Sequence, residues 1–569
     1  MKNEGKLRIA VFAGPTATIQ NSPPLVTSNK ARQKYGLPER RHTDGSPLRF
    51  DALVPQRLAA PVTVYVRQFS AHPLERDAEH LYGPPDGYLD QNGTFHKERQ
   101  GEEDVPVYEV TLRPEDGLYP LPYMARLANG QAWEGDTAFP GAPADQMKQP
   151  FFPDPSRIFE EIDRFGIGEE GVSGLLDEKA DYDFYRGAPS GGYQRGLPAA
   201  LRTDVGEGDI PPEKLGEDYF PYRPPHLGRS PTTANLAKLT NMVQRAMATG
   251  KYGGAIWLEG SPSVEETTYW LGLLIDTTVP IVGNSAQRAH GTVSADGDRN
   301  IIDSVHYIDS RIWAGDDGRD EVGAVAILDE VIFSAREVQK GDARPGGYVV
   351  TGGHGGIVGS IGEPGPPVLS YKPARRSTWR SAVNFNQIPK QVSGVRKKGS
   401  RVESITVEVK NADGDLLAGA IPNVQIYKTS RFLPLRPTLD KDDEVDILAR
   451  IEKNLQETPL SGFVAEGTSP FARMTDSVNA ALNYAVMCGM PVVRVGRGNA
   501  EGFAPPPTQR DWAISGSNLT ATKARLVLMA CMMRFGAPPP AADPEKPTDA
   551  EIQAVRKKLA EYQAVFDTH

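Results

Sequence analysis

GGAIWLEGSPSVEETTYWLGLLID, residues 253–276, reads as a buried strand, a sharp turn and a helix. The run AIWL is short, apolar without alternation and followed by Gly260, the pattern of a strand covered on both faces. Ser261 and Ser263 stand just before Glu265 and Glu266. A hydroxyl followed by carboxylates in the first turn is a helix-start signal. A strand that empties into a helix through a polar turn sets side chains at the carboxyl edge of an α/β sheet, where such folds bind ligands.

The same rhythm extends in both directions. Upstream, TANLAKLTNMVQRAMATG (233–250) is an amphipathic helix stopped at Gly250. Downstream, VPIVGN (279–284) reads as a strand, RNIIDSVHYIDSRIW (299–313) as a helix and VGAVAILDEV (322–331) as a strand. Such alternation predicts a parallel sheet with covering helices. LRIAVFA (7–13) is a further buried strand, ending at Gly14 and followed by a polar loop. A second alternating series follows residue 420: NVQIYK, VDILARIEKNL, GFVAEG, SVNAALNYAVMCG, PVVRVG and TKARLVLMACMMRFG. Residues 401–419 between the series read as a hairpin turning at Asp413-Gly414. The tail, 542–569, begins Pro-rich and ends in the charged helix DAEIQAVRKKLAEYQAVF.

Residues 40–225 differ in texture. Pro and Gly are dense, VTVYVRQF and VPVYEVTL read as strands, and PSRIFEEIDRF reads as a short helix capped by Asp154. A structureless stretch this long is unusual inside a compact domain, so the segment reads as an inserted subdomain or lid.

Bulk properties narrow the function classes. The 569 residues predict about three units at roughly 100–200 residues each. The formal net charge is −10 and no basic stripe offsets it, which argues against nucleic acid as the main partner. No apolar run approaches the ~18–20 residues that span a bilayer, so no membrane partner is expected. MKNEGKLRIAVFAG passes from charges straight into a strand without a signal-peptide core, and a soluble cytoplasmic protein is expected. Cys488 and Cys531 read as buried thiols, too few for a disulfide framework or a cysteine metal site. The nine histidines show no metal spacing, so no metal and no cofactor are expected. GGHGG (352–356) lacks the Lys-Ser/Thr of a phosphate loop.

Three constellations carry chemistry. AGPTATIQN (13–21) presents Thr16 and Thr18 after a strand. LEGSPSVEET (258–267) presents Ser261. ILDEVIFSAREVQK (327–340) leads a strand into a polar loop that ends at Lys340. A lysine buried beside a hydroxyl has a lowered pKa and can accept its proton.

Together these segments resemble the asparaginase/glutaminase family. Its Gly-Gly-Thr-Ile-Ala motif corresponds to Gly14-Pro15-Thr16-Ala17-Thr18, and its Gly-Thr-Asp-Thr-(Met/Leu)-Glu-Glu-Thr motif to Gly260-Ser261-Pro262-Ser263-Val264-Glu265-Glu266-Thr267. Ser294-Ala295-Asp296-Gly297, the loop ending at Lys340, Gly356-Ile357-Val358-Gly359, Glu466-Gly467-Thr468 and Thr522-Lys523-Ala524-Arg525 follow in the family's order. The resemblance covers residues 7–30, 229–365 and 420–536. It implies a two-domain α/β fold. A larger N-terminal domain (1–375, with the insertion at about 40–225) is followed by a linker and hairpin (376–419). A smaller flavodoxin-like C-terminal domain (420–541) and a helical tail (542–569) complete the chain.

The resemblance also implies a mechanism, in which a hydroxyl attacks an amide carbon and water releases the acid. Thr16 matches the first nucleophilic threonine, Ser261 the second, and Lys340 its lysine partner. The preferred assignment has Thr16 attacking with Ser261–Lys340 as the activating pair; the reverse, with Ser261 attacking and Lys340 as base, stays open. Tyr35 is the nearest candidate for the tyrosine that assists the first threonine. Backbone N–H groups near Gly260 and Ser261 are candidates to hold the oxyanion. Ser230 matches a substrate-carboxylate serine. Arg229 replaces an acid, which suits an anionic or carbonyl-rich ligand unless it is a surface arginine. His354 is either a proton-transfer group or a loop contact.

Two departures bear on substrate. Pro262 replaces the aspartate that binds the substrate amino group in the family, and Ala472 replaces an asparagine supplied across subunits. Losing two partners of an ammonium costs roughly 1.5–3 kcal/mol per charged hydrogen bond. The expectation is a cofactor-free amidohydrolase acting on a small carboxamide, cyclic amide or imide without a free amino-acid head group. The alternatives are an ordinary L-asparaginase/glutaminase and a non-catalytic binding protein. The resemblance implies a homodimer or homotetramer.

Overall fold

The computed structural model describes residues 6–14, 26–28, 44–45, 50–52, 56–57, 62–66, 83–90, 94–112, 118–119, 149–151, 181–186, 232–261, 263–288, 296–342, 346–350, 356–362, 365–429, 438–498 and 512–569. The chain divides into two units. Unit 1 is Met1–Ser230, Leu258–Gly260 and Ala286–Val305; unit 2 is Pro231–Trp257, Ser261–Ser285 and His306–His569.

Among the described residues of unit 1 the strands are β1 (Arg8–Ala13), β2 (Val26–Ser28), β3 (Phe50–Ala52), β4 (Gln56–Arg57), β5 (Val62–Val66), β6 (Gly87–Leu89), β7 (Phe95–His96), β8 (Val105–Leu112), β9 (Leu118–Tyr119), β10 (Gln149–Phe151) and β11 (Asp183–Arg186). Ile9 to Phe12 of β1 are buried, and β1 pairs in parallel with β11. Just past β1, Gly14 N–H donates to the Leu258 carbonyl at 2.8 Å. The Pro/Gly-rich stretch holds a five-stranded sheet of its own, ordered β10-β5-β8-β6-β7. Val105–Leu112 is a strand over its whole expected length, and Val62–Val66 is most of the other. The expected helix in PSRIFEEIDRF lies outside the described residues.

Unit 2 opens with helix α1 (Thr233–Ala248), started by a capping box of Thr232 and Asn235. β12 (Gly254–Leu258), helix α2 (Ser263–Leu274) and β13 (Ile281–Asn284) follow, and then helix α3 (Gly297–Ser310), most of which is counted with unit 1. β14 (Val325–Leu328), β15 (Val331–Ser334), β16 (Val338–Lys340), β17 (Tyr348–Val350), β18 (Ile357–Ser360) and β19 (Val368–Leu369) come next. β12-β13-β14-β15-β18-β19 lie side by side in that order. β13 and β14 are parallel, but β14-β15, β15-β18 and β18-β19 are antiparallel.

The sheet is therefore mixed, not parallel throughout as the alternation predicts. The cause is the two-residue turn Asp329-Glu330, with φ of 49° and 63°. A two-residue hairpin joins only antiparallel strands, and its favoured form needs positive φ at both central positions.

The second series begins after a long hairpin, β20 (Gln391–Lys398) with β21 (Arg401–Glu408). This corrects the expected hairpin over 401–419. The main turn falls at Gly399-Ser400, where Gly399 has φ 61°, and Asp413-Gly414 closes only a single bridge, Lys410 with Leu416. β22 (Asn423–Lys428), β23 (Ser461–Gly467), β24 (Val492–Gly496) and β25 (Ile514–Ser515) form a wholly parallel sheet. It is interleaved with helices α4 (Val445–Glu457), α5 (Asp476–Met487) and α6 (Ala521–Phe535). The tail helix α7 (Asp549–Phe566) starts at a Thr548–Glu551 capping box. Both cysteines are free and buried. No described helix is long and apolar enough to cross a membrane.

Candidate active site

β12 is buried at every position, with Ile256 and Trp257 fully enclosed. It leads through Glu259 and Gly260 to Ser261, half-buried on a turn two residues before α2. α2 is held from several sides. The Trp270 indole donates to the Thr240 hydroxyl of α1 at 2.9 Å. A Cβ at Gly283 would collide with Thr268, so only glycine lets β13 approach this closely. Packing of this kind fixes the start of α2, and with it the Ser261 turn.

Lys340 comes to the same place on a strand. The sequence reading set it on a polar loop; instead it ends β16 and lies directly opposite Tyr348, the first residue of β17. Directly opposed residues of an antiparallel pair carry their side chains on one face. The Lys340 Nζ lies 5.2 Å from the Tyr348 ring centroid, within cation–π range. The Tyr348 hydroxyl donates to Ser261 Oγ at 2.6 Å and shares a hydrogen bond with Ser285 Oγ at 3.1 Å. Ser285 follows the last residue of β13. Three hydroxyls thus form a chain, Ser285–Tyr348–Ser261, beneath a lysine amine.

A second lysine braces the segments. Lys523 sits in the first turn of α6, almost fully buried. Its ammonium donates to the carbonyl of Glu265, in the first turn of α2, and at 2.6 Å to the carbonyl of Ala335, five residues before Lys340. The Glu265 carboxylate accepts the backbone N–H of Lys340. Burial raises the Glu265 carboxyl above its usual range, against the pull of the Lys523 charge. Burial also depresses Lys523, against the pull of Glu265.

Of the residues marked in the sequence, the structure brings Ser261 and Lys340 to one tyrosine. Gly260 immediately precedes Ser261 in the chain. Thr16, Tyr35, Arg229, Ser230, Pro262 and His354 lie outside the described residues. Ala472 is fully buried with φ 49°. Sequence reasoning missed Tyr348, Ser285 and the bracing role of Lys523. Ser285 had a signal, its place just after the strand VPIVGN. Tyr348 had a weaker one, the Pro345-Gly346-Gly347 turn text before it. Among the described residues no group of three or more His, Cys, Asp or Glu is arranged to hold a metal ion.

The family model "Asparaginase, N-terminal" matches residues 226–346, which contain Ser261, Ser285 and Lys340. Over this stretch the chain is similar to the asparaginase family. Among relatives of that family, an L-asparaginase of Bacillus licheniformis is 32% identical over 130 residues, 23% of this chain and 38% of its own length. L-asparaginase 2 of Bacillus subtilis is 30% identical over 105 residues, 18% of this chain and 26% of its own. A glutaminase-asparaginase of Acinetobacter glutaminasificans is 28% identical over 110 residues, 19% of this chain and 31% of its own. The chain thus spans well under half the length of the family members it matches.

Proposed function

We propose that the protein is an amidohydrolase in which the Ser261 hydroxyl attacks the carbonyl carbon of a small amide. The observation that carries this reading is the Ser261–Tyr348 hydrogen bond of 2.6 Å beneath Lys340, built mostly from the stretch that matches the asparaginase family. Attack forms the Oγ–C bond and places negative charge on the former carbonyl oxygen. The start of α2 lies two residues beyond Ser261, and a helix N-terminus favours such a charge. Collapse expels ammonia or an amine, and water then releases the acid and frees Ser261. Lys340 supplies the positive charge that makes removal of the Ser261 proton favourable. Thr16 remains the rival nucleophile, by its position in the first motif.

The substrate in this reading is a carboxamide, cyclic amide or imide without an amino-acid head group. Pro262 has no carboxylate for an ammonium, and the buried Ala472 offers no side-chain acceptor. Arg229 suits a carbonyl-rich or anionic ligand. A second reading, hydrolysis of asparagine, is favoured by the names of the relatives. One panel separates them: ammonia or amine release from simple carboxamides, cyclic imides and asparagine. The proposal expects turnover of an amide lacking the amino group at least about a hundredfold above asparagine, from two lost charged hydrogen bonds. Asparagine as the best substrate overturns the substrate class. No release from any amide overturns the enzyme reading.

A further inference from the structure

We infer that Tyr348 is the catalytic group that takes the Ser261 proton and returns it to the leaving nitrogen. The inference rests on the amidohydrolase reading for its substrate, but its geometry stands by itself. The phenol oxygen is 2.6 Å from Ser261 Oγ, the direct contact a proton transfer requires. Ser285 Oγ, 3.1 Å from the same oxygen, fixes where it points. The ring is buried, so its orientation is set by packing. The Lys340 amine acts on that ring, 5.2 Å from its centroid, and an ammonium over a ring face stabilises a phenolate more than a phenol.

The proton inventory closes on these groups. In the resting protein the phenol donates to Ser261 Oγ. Once the phenol has lost its proton to solvent, Ser261 turns its own O–H toward the phenolate. As the Oγ–C bond forms and the carbonyl π pair moves onto oxygen, the Oγ–H bond breaks and its proton passes to Tyr348. When the C–N bond breaks, the phenol protonates the departing nitrogen, and the phenolate is restored. Water repeats the cycle: it loses a proton to Tyr348, attacks the acyl carbon, and the proton returns to Ser261 Oγ as the ester opens. Lys340 takes no part in these proton transfers. Its work is electrostatic, and Tyr348 carries the proton.

The test uses the full-length protein and p-nitrophenyl acetate, a generic acyl donor that needs no knowledge of the substrate. Release of p-nitrophenol gives the acylation rate, and mass spectrometry locates the acetyl group. The wild-type protein is expected to acetylate Ser261. Tyr348→Phe keeps the ring and its packing, and should acetylate Ser261 about a hundredfold more slowly at the same half-saturating ester concentration, the usual worth of a positioned acid or base. Ser285→Ala leaves Tyr348 in place and should slow the step about fivefold, one hydrogen bond's worth. A wild-type rate in either variant, or no acetyl group on Ser261 in the wild-type protein, overturns the inference. Tyr348-dependent acetylation without release from any amide sinks the amidohydrolase reading alone. Amide turnover with undiminished acetylation in Tyr348→Phe sinks the role of Tyr348 alone.

Discussion

Lys340 and Lys523 both bind Glu265, the first through its backbone N–H and the second through its ammonium, and their amines do different things. Lys340 ends the first strand of a separate two-stranded sheet, half-buried, with its amine over an aromatic ring whose hydroxyl touches Ser261. Lys523 starts a core helix, almost fully buried, with its amine committed to two backbone carbonyls. Burial lowers the basicity of Lys523, the property expected of a catalytic lysine, yet its protons are already used to hold α2 and the approach to β16 together. Desolvation of an amine therefore does not by itself mark a base. What the amine faces decides: main-chain carbonyls make it a brace, and a π face beside a serine hydroxyl leaves its charge to act as a field.

The contrast can be broken by changing each lysine in turn. Lys340→Met should lower the rate of amide hydrolysis by about 10²–10³, as loss of a preorganised charge does, while the melting temperature stays near that of the wild-type protein. Lys523→Met should do the reverse in its main effect. Two buried carbonyls lose their donor, at about 1–3 kcal/mol each, so urea denaturation should show a loss of about 3 kcal/mol. A Lys340→Met protein that unfolds readily but turns over normally would invert the assignment.

A third test reaches the end of the network. Arg336 lies next to Ala335, and its Nε donates to the backbone oxygen of His569 at 2.8 Å. The His569 ring is buried, accepts the Ala382 N–H at 2.9 Å, and has its pKa pushed down from 6.5 to about 4, chiefly by burial. The unfolded chain therefore binds a proton between these values when the folded chain does not. Stability is full above the unfolded pKa and is lost as pH falls toward the folded one. The loss should be about 2 kcal/mol between about pH 7 and pH 5. Calorimetry at the two pH values should show the drop in the wild-type protein and a smaller one in His569→Gln. The smallest effect belongs to Arg245 and Asp415, an exposed pair at 2.7 Å. Arg245→Ala should change stability by less than about 1 kcal/mol, and 0.5 M salt should erase the difference.

Much of the fold was legible because its signals are local. The run AIWL with Gly260 after it sufficed for β12, and the hydroxyl and glutamates after it for the start of α2. The tail helix was readable to its ends because Thr548 and Glu551 form a capping box and the pattern runs unbroken to Phe566. The parallel sheet was over-extended because nothing in VGAVAILDEVIFS announces a turn except Asp329-Glu330, and neither residue is glycine or asparagine. The strand character of Val338–Lys340 was hidden by length, since three residues show no period. The motifs marked Ser261 and Lys340, and the structure brings both to Tyr348. Tyr348 was not, because its contact with Ser261 closes across 87 residues and depends on a β16–β17 register that no local pattern specifies. Lys523 was visible as part of a motif, but its role depends on two carbonyls distant in the chain.

In the proposed reaction Ser261 Oγ is the atom that becomes acylated. Quenching the full-length protein during turnover of its best amide, then digesting it and locating the added acyl mass, tests this directly. The added mass is expected on the peptide that contains Ser261, and is expected to be absent in Ser261→Ala. An acyl group on the peptide that contains Thr16, persisting in Ser261→Ala, would contradict it.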